Sequence, residues 1–298
     1  MKYIKRALKH EEAVDTSIRE KVEIMLADIE QNGETAALDY SKKLDNWHGN
    51  VVLSDKKRAA LIKQVPNQTR EDIEFAHRQI KRFAQAQRGS LNEFEIETEP
   101  GVHLGQKIVP VQCAGCYVPG GRYAHIASAL MSITTAKVAG VPLVISCSPP
   151  HSDSIHPAIG YAMDLAGADI ILEIGGVQGV AAMAFGLFTG HEADIIVGPG
   201  NTYVAEAKRL LFGRVGIDVL AGPTESAIIA DENADPMTIA VDLVSQAEHG
   251  PDSPVWLFTT SQLIGDKVAE LIPKVAADMP NHDVIITAWQ NFGEIVLC

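Results

Sequence analysis

Apolar residues in the first ninety positions recur every three or four residues, which is the spacing of amphipathic helices. The first predicted helix has Asp15 as its N-cap and ends at Gly33, where the pattern is interrupted. A second helix runs through Ala36 and Leu44, and a longer one begins at Thr69. This region is therefore predicted to be mostly helical, and it carries no chemical motif.

From residue 94 the spacing changes to alternation and then to short apolar runs. Residues 94–98 alternate as a half-buried strand, and Pro100-Gly101 turns the chain so that 102–109 returns as a hairpin partner. Beyond them, four apolar runs alternate with four helical segments: strands at 115–118, 143–147, 170–174 and 195–197, and helices at 126–138, 155–165, 178–188 and 202–212. This alternation predicts a parallel sheet covered on both faces, which binds ligands at the carboxyl ends of its strands.

The last third of the chain continues the alternation, with strands predicted at 226–230, 255–258 and 284–286. We expect a second α/β sheet on which the N-terminal helices pack. The predicted fold is thus α/β, with two Rossmann-like parallel-sheet domains, the second inserted in the first. Residues 1–110 plus 223–298 would form the first domain, and residues 111–222 the inserted nucleotide-binding domain.

The loop Gly198-Pro199-Gly200-Asn201 precedes a predicted helix, where free backbone N–H groups attract phosphate. The G-x-G-x-x-G fingerprint of dinucleotide-binding proteins is absent, and glycine is also the ordinary residue of tight turns. Spacing alone leaves both interpretations open.

Composition narrows the class of protein. The 298 residues are 46% hydrophobic and carry a formal charge of −13 with scattered basic residues, which argues against a nucleic-acid groove. Cys113 and Cys116 match C-x-x-C, but without a second pair we interpret them as strand packing. Without a signal peptide or a long apolar run, the expectation is a soluble, cytoplasmic protein with no membrane segment.

Gln246 and His249 are three residues apart at the end of a predicted helix, so they would point the same way before Gly250-Pro251 stops it. An imidazole and an amide oxygen suit a zinc ion. A histidine in a last helical turn also favours the negative end of the helix dipole without binding anything. Both interpretations stay open at this point.

Six motifs in order resemble the histidinol dehydrogenase family: GCYVPGG at 115–121, CSPP at 147–150, GGVQ at 175–178, GPGN at 198–201, AGPTE at 221–225 and QAEHGPD at 246–252. The resemblance implies a zinc- and NAD-dependent oxidation of a primary alcohol, L-histidinol or a related polar alcohol, through an aldehyde to a carboxylate. It also implies a homodimer with a shared active site.

Carried over motif by motif, the resemblance assigns NAD contacts to Tyr117, Gln178 and Asn201. It assigns the zinc to Gln246 and His249, and contact with the substrate to these two and Thr224. The family's paired Glu and His, which act as acid and base, and two further zinc ligands would lie beyond Cys298. We therefore expect a truncated copy with no catalytic acid or base in this chain and weak or no turnover.

Arg122 suggests another substrate. The polar stretch after residue 121 resembles a sister branch that oxidises sulfopropanediol (2,3-dihydroxypropane-1-sulfonate), and Arg122 would pair with the sulfonate. The alternative is that Arg122 neutralises the NAD pyrophosphate or lies in solvent. A further alternative for the whole chain is a non-catalytic binding or dimerisation protein on the same scaffold.

Overall fold

The structure, a computed structural model, describes residues 2–8, 16–120, 124–151, 153–219 and 225–298. The helices are α1 (Thr16–Asp45), α2 (Asp55–Lys63), α3 (Asn67–Gly89), α4 (Ile126–Val138), α5 (Pro157–Ala166), α6 (Gly176–Ala184), α7 (Thr202–Leu211), α8 (Pro236–Ala247), α9 (Gln262–Ala277) and α10 (His282–Phe292). The strands are β1 (Lys2–Lys5), β2 (Phe94–Glu99), β3 (Val102–Gln106), β4 (Cys113–Tyr117), β5 (Leu143–Ser148), β6 (Ile170–Glu173), β7 (Ile195–Val197), β8 (Gly216–Ile217), β9 (Ser226–Ala230), β10 (Val255–Thr259) and β11 (Gly293–Leu297).

The larger of two compact units spans Thr16–Leu220 and is built on a five-stranded sheet in the order β6-β5-β4-β7-β8. Its strands pair in parallel. Renumbered from β4, this order is 3-2-1-4-5, which is the strand order of a Rossmann fold. The prediction of a covered parallel sheet is confirmed.

Each face of this sheet carries its own apolar core, because alternate strand residues point to opposite sides. Cys113 and Tyr117 of β4 pack on one side with α1, α6 and α7. Ala114 and Cys116 pack on the other side with α3, α4 and α5. Both faces are buried, which explains why the strands appear in the sequence as continuous apolar runs.

The N-terminal helices belong to this larger unit. Val22 and Ile29 of α1 are fully buried in the core where α1 packs on α6 and α7, and Leu61 of α2 lies in the opposite core. The sequence analysis had instead placed residues 1–110 with the last part of the chain. Their apolar stripes were correctly identified, but a stripe does not show which sheet it covers. Within α1 the helix breaks at Gly33 (φ 59°, ψ −138°), as the sequence predicted.

The hairpin of β2 and β3 forms in the predicted place, but its surroundings differ from the prediction. Every residue of both strands is exposed, whereas the alternation predicted one buried face. Apolar and polar side chains therefore lie on opposite faces of the hairpin, and the described part of the chain covers neither face.

The smaller unit consists of residues 1–15 and 221–298. Its sheet has the order β1-β11-β10-β9, with β9, β10 and β11 parallel and β1 antiparallel at the edge. The strand predicted at 284–286 was wrong: these residues lie in α10, where Ile285 packs into the core with Trp289. Branched apolar residues favour a strand locally, but the burial of one helical face outweighs that preference.

None of the described helices combines the length and apolar character needed to cross a bilayer.

Candidate active site

Four parallel strands end together at one edge of the larger sheet, at Tyr117, Ser148, Glu173 and Val197. The direction of the strand order reverses between β4 and β7, since β5 and β6 lie on one side of β4 and β7 and β8 on the other. Open α/β sheets bind ligands in the crevice that this reversal creates. The candidate cofactor residues Tyr117, Gln178 and Asn201 all follow or end these strands.

Tyr117, the last residue of β4, is 3% exposed. Its hydroxyl oxygen accepts a hydrogen bond of 3.0 Å from the backbone N–H of Gly176, the first residue of α6. Burial raises the pKa of the phenol, so the hydroxyl stays protonated. In this arrangement Tyr117 joins the end of one strand to the start of a helix.

Gln178, in the first turn of α6, is 1% exposed. Its Nε2 donates to Oδ2 of Asp45 at 2.8 Å, and its Oε1 has no hydrogen-bond partner in the described structure. A carboxylate only accepts, so Asp45 fixes the amide with Oε1 pointing away from it. Burial raises the pKa of Asp45, while its bond with Gln178 acts in the opposite direction. The arrangement leaves one buried acceptor without a donor.

Asn201 is exposed and caps α7, its Oδ1 accepting from the N–H of Val204 at 3.0 Å. The preceding loop is held at Gly198, whose N–H donates to Asp218 at 2.8 Å and whose carbonyl accepts from Lys208 at 2.9 Å. Lys208 is also ion-paired with Asp218. The N–H of Gly198 is therefore already bonded and is not one of the free groups that the sequence analysis offered to a phosphate.

These contacts bring the predicted cofactor residues to one edge of the sheet, in different environments. Tyr117 contacts Gly176 directly, and a Cβ on Gly198 would lie 2.1 Å from the carbonyl oxygen of Tyr117. Tyr117 and Gln178 are buried at this edge, whereas Asn201 is exposed on its surface.

The predicted metal ligands lie in the smaller unit. Helix α8 ends at Ala247, so Gln246 is helical and half-buried, while His249 is exposed just after the helix. The turn continues by a 3.2 Å bond from the N–H of His249 to the carbonyl of Gln246. The two residues are thus one turn apart, although His249 lies beyond the end of the helix proper.

The imidazole of His249 has a defined orientation. Its Nδ1 lies 3.1 Å from the carbonyl oxygen of Ser245. A carbonyl oxygen only accepts, so this bond requires the proton on Nδ1 and leaves the lone pair on Nε2. Metal-binding histidines commonly use such a backbone bond to select the nitrogen that faces the metal.

No cluster of three or more His, Cys, Asp or Glu side chains with the spacing of a metal site occurs within the described ranges. Thr224 and Arg122, the candidate substrate residues, lie outside those ranges. Cys113, Cys116 and Cys147 are buried and unpaired, and burial raises the pKa of Cys113 to about 11 and that of Cys116 to about 12. Such thiols are poor nucleophiles, consistent with a packing role.

Two polar residues at this edge were missed by the sequence analysis. Asp45, which holds Gln178, ends a helix 133 residues earlier, and nothing local marks it. Glu173 is 1% exposed and binds Lys57 at 2.8 Å and the N–H of Ile155 at 3.3 Å. Glu173 could have been found in the sequence, because it is the one acidic residue within an apolar run. The predicted strand at 170–174 included it without assigning it a role.

Comparison with known proteins identifies the family. The model of the histidinol dehydrogenase family matches residues 8–298. The chain is 52% identical over 301 residues to sulfopropanediol 3-dehydrogenase of Ruegeria pomeroyi, covering 100% of this chain and 69% of the relative. It is 38% identical over 283 residues to histidinol dehydrogenase of Parasynechococcus marenigrum, covering 94% of this chain and 64% of the relative.

A solved structure agrees with the sequence comparisons. Histidinol dehydrogenase from Elizabethkingia anophelis superposes with a TM-score of 0.87 at 34% identity, covering 99% of this chain and 67% of that one. The chain thus spans roughly two thirds of the length of the relatives it matches. From the motifs, the fold and a similarity that extends along nearly all of this chain, the chain belongs to the histidinol dehydrogenase family of oxidoreductases that act on alcohols.

Proposed function

We propose that the protein oxidises a small polar primary alcohol through an aldehyde to a carboxylate, using NAD and a zinc ion. The observation that carries the proposal is the Rossmann strand order, with four of the six family motifs, those at 115–121, 147–150, 175–178 and 198–201, following the ends of its parallel strands. The family supplies the reaction class, oxidation of an alcohol.

The residues at this edge fit a dinucleotide. Glycines at 198 and 200 leave room where a Cβ would overlap neighbouring atoms, which keeps the loop close to the sheet. The helix α7 begins at Thr202, with Asn201 as its N-cap, and its N-terminus favours negative charge such as a pyrophosphate. The unsatisfied Oε1 of Gln178 would accept a hydrogen bond from the cofactor once the edge opens to admit it. When bound, NAD would accept a hydride from the alcohol carbon.

The residues at the end of α8 fit a metal ion. His249 leaves Nε2 free to bind, and Gln246 can add an amide oxygen. A zinc ion held there would lower the pKa of the alcohol and polarise the aldehyde. This chain's own contribution is to orient the imidazole, through the backbone carbonyl of Ser245, so that its lone pair stays available.

A sulfonate-bearing diol is the substrate we favour. The chain is 52% identical to the sulfopropanediol enzyme, against 38% and 36% for two histidinol dehydrogenases. We propose that Arg122 pairs with the sulfonate and that the hydroxyl of Thr224 binds the substrate, because a guanidinium matches the oxygens of such an anion. L-histidinol, which carries an amine and an imidazole, has no anionic group to pair with Arg122.

A comparison of two substrates tests the reaction. The protein that carries this sequence, extended to the length of its relatives, should reduce NAD faster with sulfopropanediol than with L-histidinol. Arg122→Gln should raise the KM for the diol by about tenfold, since a charge-assisted bond contributes about 1.5–3 kcal/mol. A higher kcat/KM for L-histidinol would overturn the substrate assignment, and no NAD reduction with either would overturn the reaction.

Metal content tests the zinc assignment and separates an enzyme from a non-catalytic binding protein. We expect about one zinc per chain in the extended protein, measured by elemental analysis after dialysis, and loss of most of it in His249→Ala. His191→Ala, an exposed histidine in the larger unit, serves as the control. Equal zinc content in both variants would exclude His249 as a ligand.

We also propose that the protein is a homodimer. The hairpin of β2 and β3 leaves apolar side chains uncovered: Phe94 53%, Ile96 53%, Val102 47% and Leu104 55% exposed. A second copy would cover such a patch. Ile96→Lys should shift the mass in solution, measured by light scattering, from dimer toward monomer, and an unchanged dimer would remove the hairpin from the interface.

A further inference from the structure

A cavity of about 540 Å³ opens within the larger unit between α3 and the ends of α4 and α5. The chain leaves α4 at the opposite edge of the sheet from Tyr117, because the turn after α4 bonds back to the start of β4: the N–H of Leu143 donates to the carbonyl of Gln112. The cavity is therefore separate from the candidate cofactor edge. Its size lies within the range of about 300–1,000 Å³ that small-molecule pockets occupy.

One side of the cavity is basic. His77, Lys81, Gln85 and Arg88 line it from a single face of α3, since they follow one another at four, four and three residues. The chain has no acidic residue between Glu74 and Glu93, although its formal charge is −13. Lys81 and Arg88 lie two turns apart on this face with no acidic side chain between them, so an anion in the cavity would be attracted to both.

Three carboxylates on or next to the helices that line the cavity are already bonded. Lys137 of α4, on the opposite wall, lies 2.5 Å from Asp169. Asp164 is paired with Arg58 at 2.6 Å, and Glu74 accepts from Tyr161 at 2.7 Å. Within the described ranges neither Lys81 nor Arg88 forms a salt bridge. Two full positive charges thus face the cavity without a counter-ion.

Thr134 provides an independent observation. This residue of α4 lines the same cavity, is 2% exposed, and its hydroxyl has no hydrogen-bond partner in the described structure. Buried hydroxyl groups are ordinarily satisfied, because leaving one unpaired costs stability. A ligand oxygen that displaced the groups now covering this hydroxyl would supply the missing partner.

The carboxyl ends of α4 and α5 also border the cavity, and their free carbonyls favour positive charge. That interaction accounts for Lys137, which lies in the last turn of α4 and donates to the carbonyl of Pro142 at 3.3 Å. It does not account for Lys81 and Arg88, which lie on another helix. It also does not account for the hydroxyl of Thr134, which still has no hydrogen-bond acceptor among the described residues.

We propose that this cavity binds a phosphate-bearing small molecule, with Lys81 and Arg88 supplying charge and Thr134 donating a hydrogen bond. A phosphate group has several acceptor oxygens and a charge near −2, which matches a set of donors with two unbalanced cations. The proposal concerns a site at the opposite edge of the sheet from the proposed NAD residues, and it does not depend on the proposed function.

Titration calorimetry with pyrophosphate tests the proposal, with sodium chloride of the same ionic strength as the reference. Lys81→Gln and Thr134→Val should each weaken pyrophosphate binding by about tenfold, as expected for loss of one hydrogen bond to a charged group. Arg82→Gln is the matched control: Arg82 is the next residue on α3, is exposed and does not line the cavity, so this change should weaken binding less than about twofold.

Orthophosphate and pyrophosphate distinguish a site for one phosphate from a site for two, and tighter binding of either supports the proposal. Equal weakening by Lys81→Gln and Arg82→Gln would overturn it, because the attraction would then come from the general field of α3. Absence of a phosphate- or pyrophosphate-specific heat in the unaltered protein would overturn it as well. Circular dichroism of each variant shows that the helices are retained.

Discussion

Gly198 combines a left-handed backbone with close packing. Its φ is +112°, and a Cβ there would lie 2.1 Å from the carbonyl oxygen of Tyr117. Both of its backbone polar groups are bonded to neighbours in the same unit. A side chain at this position would therefore push apart two strand ends that form the candidate cofactor edge.

Gly198→Ala should lower the free energy of unfolding by about 3 kcal/mol, combining left-handed strain with a steric clash. Gly213→Ala is the control, because its φ is +101° but a Cβ there would meet nothing within 4 Å. This second change should cost only about 1 kcal/mol. Urea denaturation of both variants measures the difference, and equal losses would show that the approach to Tyr117 does not matter.

Lys5 should make stability depend on alkaline pH. Its ammonium contacts the carbonyls of Trp289 at 2.6 Å and Gly293 at 2.5 Å, yet burial outweighs the attraction of Glu294 and lowers its pKa from 10.5 to about 8. Between these two pH values the unfolded chain binds more protons than the folded one. Stability from this residue therefore rises with pH across the window from about 8 to 10.5.

The measurement is the urea midpoint at several pH values across that window. Lys5→Met should lose the part of the rise that Lys5 contributes, whereas Lys2→Met, an exposed lysine on the same strand, should follow the unaltered protein. A Lys5→Met curve parallel to that of the unaltered protein would contradict the lowered pKa.

Single residues of the candidate site were predictable to different degrees. Asn201 follows a glycine-rich loop and begins a helix, so its position as a cap was readable locally. The bond between Gln178 and Asp45 was not, since their contact depends on how α1 packs against α6. The contacts of Gly198 with Lys208 and Asp218 could not be predicted either, because they depend on how α7 and the chain after it fold back to the end of β7. Local patterns show residue types and spacing, and only the fold supplies their partners.

At the scale of elements, the side chain of Glu173 links β6 to α2 and to the loop before α5 through hydrogen bonds and an ion pair. It accepts hydrogen bonds from Lys57, Ser154 and the N–H of Ile155 while almost fully buried. Lys57 also lies 5.0 Å from the ring of Trp47. A buried carboxylate needs such partners, because desolvation penalises its charge.

Lys57→Met should destabilise the protein by about 3 kcal/mol, because it leaves the carboxylate of Glu173 buried without a counter-charge. Lys56→Met, an exposed neighbour on the same helix, should change stability by less than about 0.5 kcal/mol. If Lys57→Met is also neutral, the ion pair contributes nothing and Ser154 with Ile155 suffices. Thermal unfolding followed by circular dichroism gives both values.

Elements were predictable where one periodicity dominated. The helix at 126–138 and the strands at 195–197 and 226–230 were predicted with their observed bounds. Residues 284–286 were misassigned because three apolar residues in a row suit either a strand or a buried helix. The strand β1 was also missed, since four residues rich in lysine resemble a solvated lead-in, and only pairing with β11 makes them a strand.

At the scale of the whole molecule, the chain divides into two units with separate cores. The sequence analysis placed residues 1–110 with the last part of the chain, whereas residues 16–110 belong to the larger unit. Residues 16–220 contain the sheet and the helices that cover both of its faces, so every strand of that sheet has its partners within this segment.

Residues 16–220 expressed alone should therefore fold cooperatively, with a single urea transition and the far-ultraviolet circular dichroism of a helical α/β protein. Residues 111–222, the inserted domain predicted from sequence, are the comparison, and they should fold poorly because α1, α2 and α3 no longer pack on the helices that cover the sheet. If the shorter segment unfolds at the same urea concentration, the N-terminal helices do not stabilise the larger unit.

The pairing of β1 with β11 has a consequence for biosynthesis. Residues 2–5 leave the ribosome long before the strand that pairs with them, Gly293–Leu297. The intervening 16–220 segment has all of its own pairing partners and can complete its sheet while translation continues. The smaller sheet can form completely only after β11 has been synthesised and has paired between β1 and β10. Until then, the edges of β1 remain unpaired and accessible to chaperones.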